Sequence, residues 1–171
     1  MKVRAKAPLR LGLAGGGSDV SPYSDKFGGS VLNATINLFA RTTISDEMPT
    51  NIVIFNAQDL DIKEELAIET LNSGVSTLLP LHHATYNRIM SQFNGGVKLP
   101  LEIITSCDSP PGSGLGSSST LVVSMLEAYR QLMSLPLGEY DIAHLAYEIE
   151  REDCGLAGGK QDQYAATFGG F

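Results

Sequence analysis

"PPGSGLGSSST", Pro110 to Thr120, is the stretch on which the reading of this 171-residue chain turns. Glycines alternate at 112, 114 and 116, serines stand at 117, 118 and 119, and the apolar run "LVVSML" follows at once. The preceding "LPLEIITS" reads as a strand and the following segment as a helix, so the loop joins the two. Glycines let a backbone approach an anion closely, and successive N–H groups at a helix N-terminus favour phosphate. The alternative is a plain turn whose serines cap the helix, with Ser117 and Ser118 equally placed for it. Two familiar phosphate loops do not fit. A Walker loop needs a lysine beside its last glycine, and no lysine lies between Lys98 and Lys160. A Rossmann fingerprint needs a third glycine after two intervening residues, where this chain has Ser117.

Outward from the loop, the chain divides into strands first and helices later. "KVRAKAPLRLGL", "SVLNATINLFARTTIS" and "NIVIFNA" read as strands, the last following a turn at "MPTN". "SDVSPYSDKFGG" is a polar loop with room for one helical turn, and "DLDIKEELAIETL" fits either type. "STLLPLHHATYNRIMSQF" has helical spacing with Pro80 in the first turn, and its inward face includes Leu78, Leu79, His82, Tyr86, Ile89, Met90 and Phe93. "SSSTLVVSMLEAYRQLM" and "GEYDIAHLAYEIERE" are helices, and "GGKQDQYAATFGG" is a turn followed by a strand or a short helix. This order predicts an α+β fold in one domain spanning residues 1–171.

Composition narrows the function. The net charge is −7, and no basic stripe invites nucleic acid. Cys107 and Cys154 lack metal-ligand spacing, which argues against zinc and suits a reduced cytoplasmic setting. No apolar run approaches the ~20 residues of a membrane helix, so no membrane partner is expected. Adjacent His82 and His83 point about 100° apart on a helix and are poor co-ligands. The chain ends on an apolar, glycine-containing stretch, which leads to the expectation that it is the N-terminal part of something longer.

The loop is similar to the second signature of the GHMP kinases (galactokinase, homoserine, mevalonate and phosphomevalonate kinases), P-x-G-x-G-L-G-S-S. "APLRLGLAGGGSD" resembles the family's first signature, and "EREDCGLAGGKQDQY" resembles the segment ending in G-x-x-D-Q. The family implies a ribosomal protein S5 domain 2-like N-terminal domain, with the active site between it and a C-terminal domain. It implies ATP and Mg²⁺, with Pro111, Gly112, Ser113, Gly114, Leu115, Gly116, Ser117 and Ser118 around the phosphates and the Ser118 hydroxyl on the metal. Asp162 would be the catalytic base, taking the proton of an acceptor hydroxyl. Its bland alternative is an Asx turn. Glu150, twelve residues earlier, would be the second metal ligand, or else a solvated helix charge. Arg10 would stabilise charge on the transferred group, or form a surface ion pair.

Gly16, Gly17, Ser18 and Asp19 would bind the acceptor. Asp19 matches the sugar-binding aspartate of galactokinases, while Gly16 and Gly17 replace their Glu-His pair. This variant of the signature, with "GGSVLNATINLFA" after it, resembles the branch that phosphorylates D-glycero-D-manno-heptose 7-phosphate at the anomeric oxygen. The partners implied are a sugar phosphate, ATP and a C-terminal domain of the same protein. Rival readings are a fucokinase- or galactokinase-like enzyme, a GHMP-type decarboxylase and a silent binding module. Lys160 reads as a solvated turn residue.

Overall fold

Alternation along Lys2–Ala14 makes it β1, with Ala7 and Leu9 buried and Arg4 and Lys6 exposed. The computed structural model describes residues 1–48, 51–72 and 77–171. Two expected features fall partly outside them: the turn at residues 48–51, and the start of the segment opening at Ser76. A 3₁₀ turn, Gly16–Asp19, and a short helix α1, Tyr23–Phe27, fill the first polar loop. Strands β2 (Leu32–Ser45), β3 (Ile52–Ala57) and β4 (Ile62–Ala67) follow, and a 3₁₀ turn covers Ile68–Asn72. The ambiguous "DLDIKEELAIETL" therefore contains a strand. Its Glu64 carboxylate accepts the Leu78 N–H and the Thr77 hydroxyl at 2.8 and 2.6 Å, linking β4 to the next helix.

That helix, α2, spans Pro80–Phe93 with proline in its first turn, where the missing N–H is harmless. Leu78 precedes it and is 72% exposed, so the expected inward position is wrong; the helical face begins only at Pro80. Strand β5 is Glu102–Cys107, and α3 is Ser117–Met133. Helix α4, Glu139–Glu148, widens into a π turn over Ile149–Asp153, and α5 is Gln161–Phe168. The last expected segment is thus a short helix rather than a strand.

The five strands form one sheet in the order β1-β2-β5-β3-β4, antiparallel except for the parallel β3–β5 pair. Helix α3 lies across β1 and β2, and a buried Thr42–Ser124 hydroxyl contact of 2.7 Å marks the junction. Helix α2 sets His82 and Tyr86 against Phe55 of β3. Helices α4 and α5 pack on each other, and α5 reaches β1. The opposite face of the sheet presents Arg4, Lys6 and Arg41 around a depression of about 510 Å³. It shares no residue with the phosphate loop or with Asp162. Among the described residues no helix is long and apolar enough to cross a membrane.

Candidate active site

The loop between β5 and α3 carries Gly112, Gly114 and Gly116 at φ of 78°, 75° and 76°. These left-handed turns at alternate positions are open to glycine and strained for other residues. Gly116 is the N-cap of α3 and supplies no side-chain hydrogen bond. The expected serine cap is therefore absent, because Ser117 and Ser118 already lie inside the helix. The helix start keeps its N–H groups free of a side-chain cap, and its dipole adds positive potential there. Ser113 turns its hydroxyl inward to Ser109, 2.6 Å away, so it braces the loop.

Arg10 reaches this loop because β1 and β2 lose register between Pro8 and Arg10, and such an irregularity re-aims a side chain. Its backbone N–H donates to the Leu115 carbonyl at 3.1 Å, and its Nη1 donates to the Gly114 carbonyl at 2.9 Å. Its Nε donates to Asp162 Oδ1 at 2.7 Å. Asp162 sits in the first turn of α5, and a Cβ built on Gly116 would lie 3.1 Å from its carboxyl carbon. Loop, arginine and carboxylate therefore meet at one point. The pair is partly covered, with Arg10 and Asp162 side chains 12% and 22% exposed.

Behind the loop, the Ser118 hydroxyl donates to Glu150 Oε1 at 3.0 Å. Glu150 stands in the π turn and is 1% exposed. Buried carboxylates are ordinarily paired with a cation or bound to a metal. Among the described residues Glu150 has no basic partner, only Ser118 and the Gln163 amide. Gln163 also donates to Ser119 Oγ at 3.1 Å, while its own Oε1 is buried without a partner. The two oxygens of Ser118 and Glu150 suit a hard cation such as Mg²⁺. No group of three or more His, Cys, Asp or Glu side chains placed to hold a metal ion occurs among the described residues. Glu148 and Glu152 lie near Arg88, which donates to both oxygens of Asp153 at 2.8 and 2.6 Å and so anchors the π turn. A π turn is a frequent way of aiming one side chain out of helical register.

The second glycine cluster lies beside the start of α5. Asp19 Oδ2 accepts the N–H groups of Lys160 and Gln161. The Ser18 hydroxyl donates to the Gly15 and Ser30 carbonyls at 2.7 and 3.0 Å, and Gly17 faces open space. A pocket of about 320 Å³ is lined by Asp19, Val31, Asn33, Lys160, Gln161 and Tyr164. Lys160 is exposed with its Nζ 5.2 Å from the centre of the Tyr147 ring, and it contributes to that pocket. A further pocket of about 190 Å³ flanks the phosphate loop, with Ala57, Leu60, Leu81 and Leu121 opposite Pro111, Gly112 and Ser118. Cys107 also lines it, and burial pushes its thiol pKa up. Cys154 is likewise a free, half-buried thiol. His82 is buried against Thr105, and His83 contacts Asn87.

The sequence profile described as the GHMP kinases N terminal domain matches residues 81–170, more than half of the chain. The chain belongs to the GHMP kinase family. This GHMP-family chain is 49% identical to the D-glycero-alpha-D-manno-heptose 7-phosphate kinase of Campylobacter jejuni, over 99% of the chain and 49% of that protein. It superposes on the crystal structure of a D-glycero-D-manno-heptose 1-phosphate kinase from Bacteroides thetaiotaomicron with a TM-score of 0.87. That match has 52% identity and covers 99% of this chain and 54% of the other. A mevalonate kinase from Methanococcus jannaschii shares the fold, with a TM-score of 0.78 at 20% identity over 99% of this chain and 52% of the other. The chain spans about half the length of the curated relatives it matches.

Within this GHMP-family chain, three positions had no assigned role in the sequence reading. Gln163 joins Glu150 to Ser119. The Gln161 side chain lies beside Gly16. Arg151 donates to the carbonyls of Leu156, Ala157 and Gly159 and shapes the loop leading to Asp162. The "D-Q" pair at 162–163 was the available signal for Gln163. Gln161 and Arg151 leave no comparable mark, because their contacts depend on how the loop at 155–160 folds back.

Proposed function

We propose that this chain forms the N-terminal domain, residues 1–171, of an ATP-dependent sugar kinase. Its reaction transfers the γ-phosphoryl group to the C1 hydroxyl of D-glycero-D-manno-heptose 7-phosphate. The observation that carries this reading is the position of Asp162, held by Arg10 and set against Gly116 of the phosphate loop. A base so placed stands beside the donor phosphates. The acceptor pocket lies along the same helix start. Similarity to two kinases of heptose phosphates supports the choice of acceptor. The further half of the relatives' length would supply the second wall of the cleft. Two free thiols and ATP as donor fit a cytoplasmic location.

In this scheme the loop amides and the α3 N-terminus bind the phosphates, with the base in the apolar pocket beside Leu60 and Leu121. Asp162 orients the C1 hydroxyl and accepts its proton as the oxygen bonds to the γ-phosphorus and ADP leaves. Arg10 faces the charge that develops on the transferred group while holding Asp162 oriented. Ser118 and Glu150 would hold Mg²⁺, which would supply charge neutralisation for the phosphoryl transfer.

The test is ADP release by the complete polypeptide carrying this chain. The acceptors to compare are heptose 7-phosphate, heptose 1-phosphate, unphosphorylated heptose, fucose and galactose. The expected result is a kcat/KM for the 7-phosphate at least about 100-fold above every other acceptor. Turnover confined to fucose or galactose would reassign the enzyme to those branches. Nucleotide binding with no acceptor-dependent turnover would make it a silent binding module.

A further inference from the structure

Asp162 needs a helix start that stays in place, and α5 does not cap itself. Its N-cap residue, Lys160, makes no side-chain cap. The amides are satisfied instead from 141 and 142 residues away: Asp19 Oδ2 accepts Lys160 N–H at 2.7 Å and Gln161 N–H at 2.8 Å. A carboxylate at a helix N-terminus is favoured twice, by charge-assisted hydrogen bonds and by the helix dipole. The approach is tight. A Cβ on Gly159 would lie 2.1 Å from Asp19 Oδ2 and 2.3 Å from the Asp19 carbonyl, so no side chain fits there. The loop bearing Asp19 is braced in turn by Ser18, whose Oγ accepts the Ser30 N–H at 3.0 Å. Asp19 Oδ1 has no hydrogen-bond partner among the described residues, and Asp19 lines the acceptor pocket.

We propose that Asp19 is a positioning residue that ties the acceptor loop to the helix carrying Asp162. One oxygen pins the amides before Asp162; the other is left for an acceptor hydroxyl. Acceptor binding and base placement thus share one carboxylate. The pin itself rests on geometry alone, and its effect on turnover rests on the kinase reading above.

The experiment pairs NMR with kinetics. In this chain, hydrogen exchange of the Lys160 and Gln161 amides reports the pin. The Arg10 Nε–Hε resonance reports the Arg10–Asp162 pair. Amide protection in β2 and α3 reports folding. Asp19→Ala is expected to expose both amides and shift the Arg10 signal with β2 and α3 still protected. In the complete enzyme its kcat should fall about 100-fold, the cost expected of misplacing a catalytic group by ~1 Å. Asp19→Asn keeps an oxygen for the amides; it should retain protection, hold kcat within about 3-fold and raise the acceptor KM about 10-fold. Gly159→Ala, which leaves Asp19 intact but forces it away, should lower kcat with the ATP KM unchanged. Protected Lys160 and Gln161 amides in Asp19→Ala would overturn the proposal. So would wild-type kcat in that variant, or an Asp19→Asn that keeps protection yet loses kcat as severely as Asp19→Ala. If the wild-type enzyme phosphorylates no sugar, the kinase reading fails, and the exchange and Arg10 signals still decide the pin.

Discussion

Asp162 and Glu150 are both carboxylates, yet their surroundings differ. Asp162 is held by a guanidinium at the edge of the loop, whereas Glu150 is sealed beneath it without a cation among the described residues. Asp162→Asn in the complete enzyme should lower kcat by about 1,000-fold with ATP affinity nearly unchanged, since a base contributes to the proton transfer and not to holding the nucleotide. Single-turnover kinetics and nucleotide titration separate the two. Glu150→Gln should raise the Mg²⁺ concentration for half-maximal activity at least about 10-fold. The same change keeps the volume of the buried side chain, so urea unfolding of the metal-free chain should shift by no more than about 1 kcal/mol. At this scale the turn of the glycine loop into α3 was legible because alternating glycines act locally. Asp19 was legible only as a signature residue. Its grip on the α5 amides joins residues 141 and 142 positions apart, and no local pattern encodes that distance.

Elements were read well where one face is apolar and poorly where charge interrupts it. Helices α2, α3 and α4 follow helical spacing, and β1, β2, β3 and β5 follow β-branched alternation. Strand β4 was obscured because Lys63, Glu64 and Glu65 stand in a row, with Glu64 turned toward the start of α2. The serine cap failed for a related reason: Gly116, in a left-handed conformation, takes the N-cap and pushes the serines into the helix. Helix α3 also holds a polar anomaly. The Tyr129 hydroxyl is fully buried with no hydrogen-bond partner among the described residues, and burial holds its pKa well above the usual range. Tyr129→Phe removes that unsatisfied group while keeping the ring. It should stabilise the chain by about 1 kcal/mol, seen as a higher urea midpoint at unchanged slope.

At the scale of the whole molecule, the buried side of α2 carries an acid sensitivity outside the site. His82 lies between α2 and the sheet, with Nε2 2.8 Å from Thr105 Oγ1, and burial lowers its pKa from 6.5 to about 4. The unfolded chain therefore binds a proton that the folded chain refuses between those two values. Its contribution is complete above pH 6.5 and is lost as pH falls toward 4, reaching about 3 kcal/mol. His82→Gln should flatten that part of the stability-against-pH curve, measured by urea unfolding from pH 7 to 4.5. The α+β class was legible in the order of segments, but the strand order was not, because β5 inserts between β2 and β3 although it comes last. That insertion has a consequence for synthesis. A nascent chain shorter than residue 107 holds two separate hairpin halves, β1–β2 and β3–β4, with no seam between them. β5 is the keystone, and the glycine loop leaves the ribosome directly after it. The glycine loop therefore finds its place only once the sheet has closed.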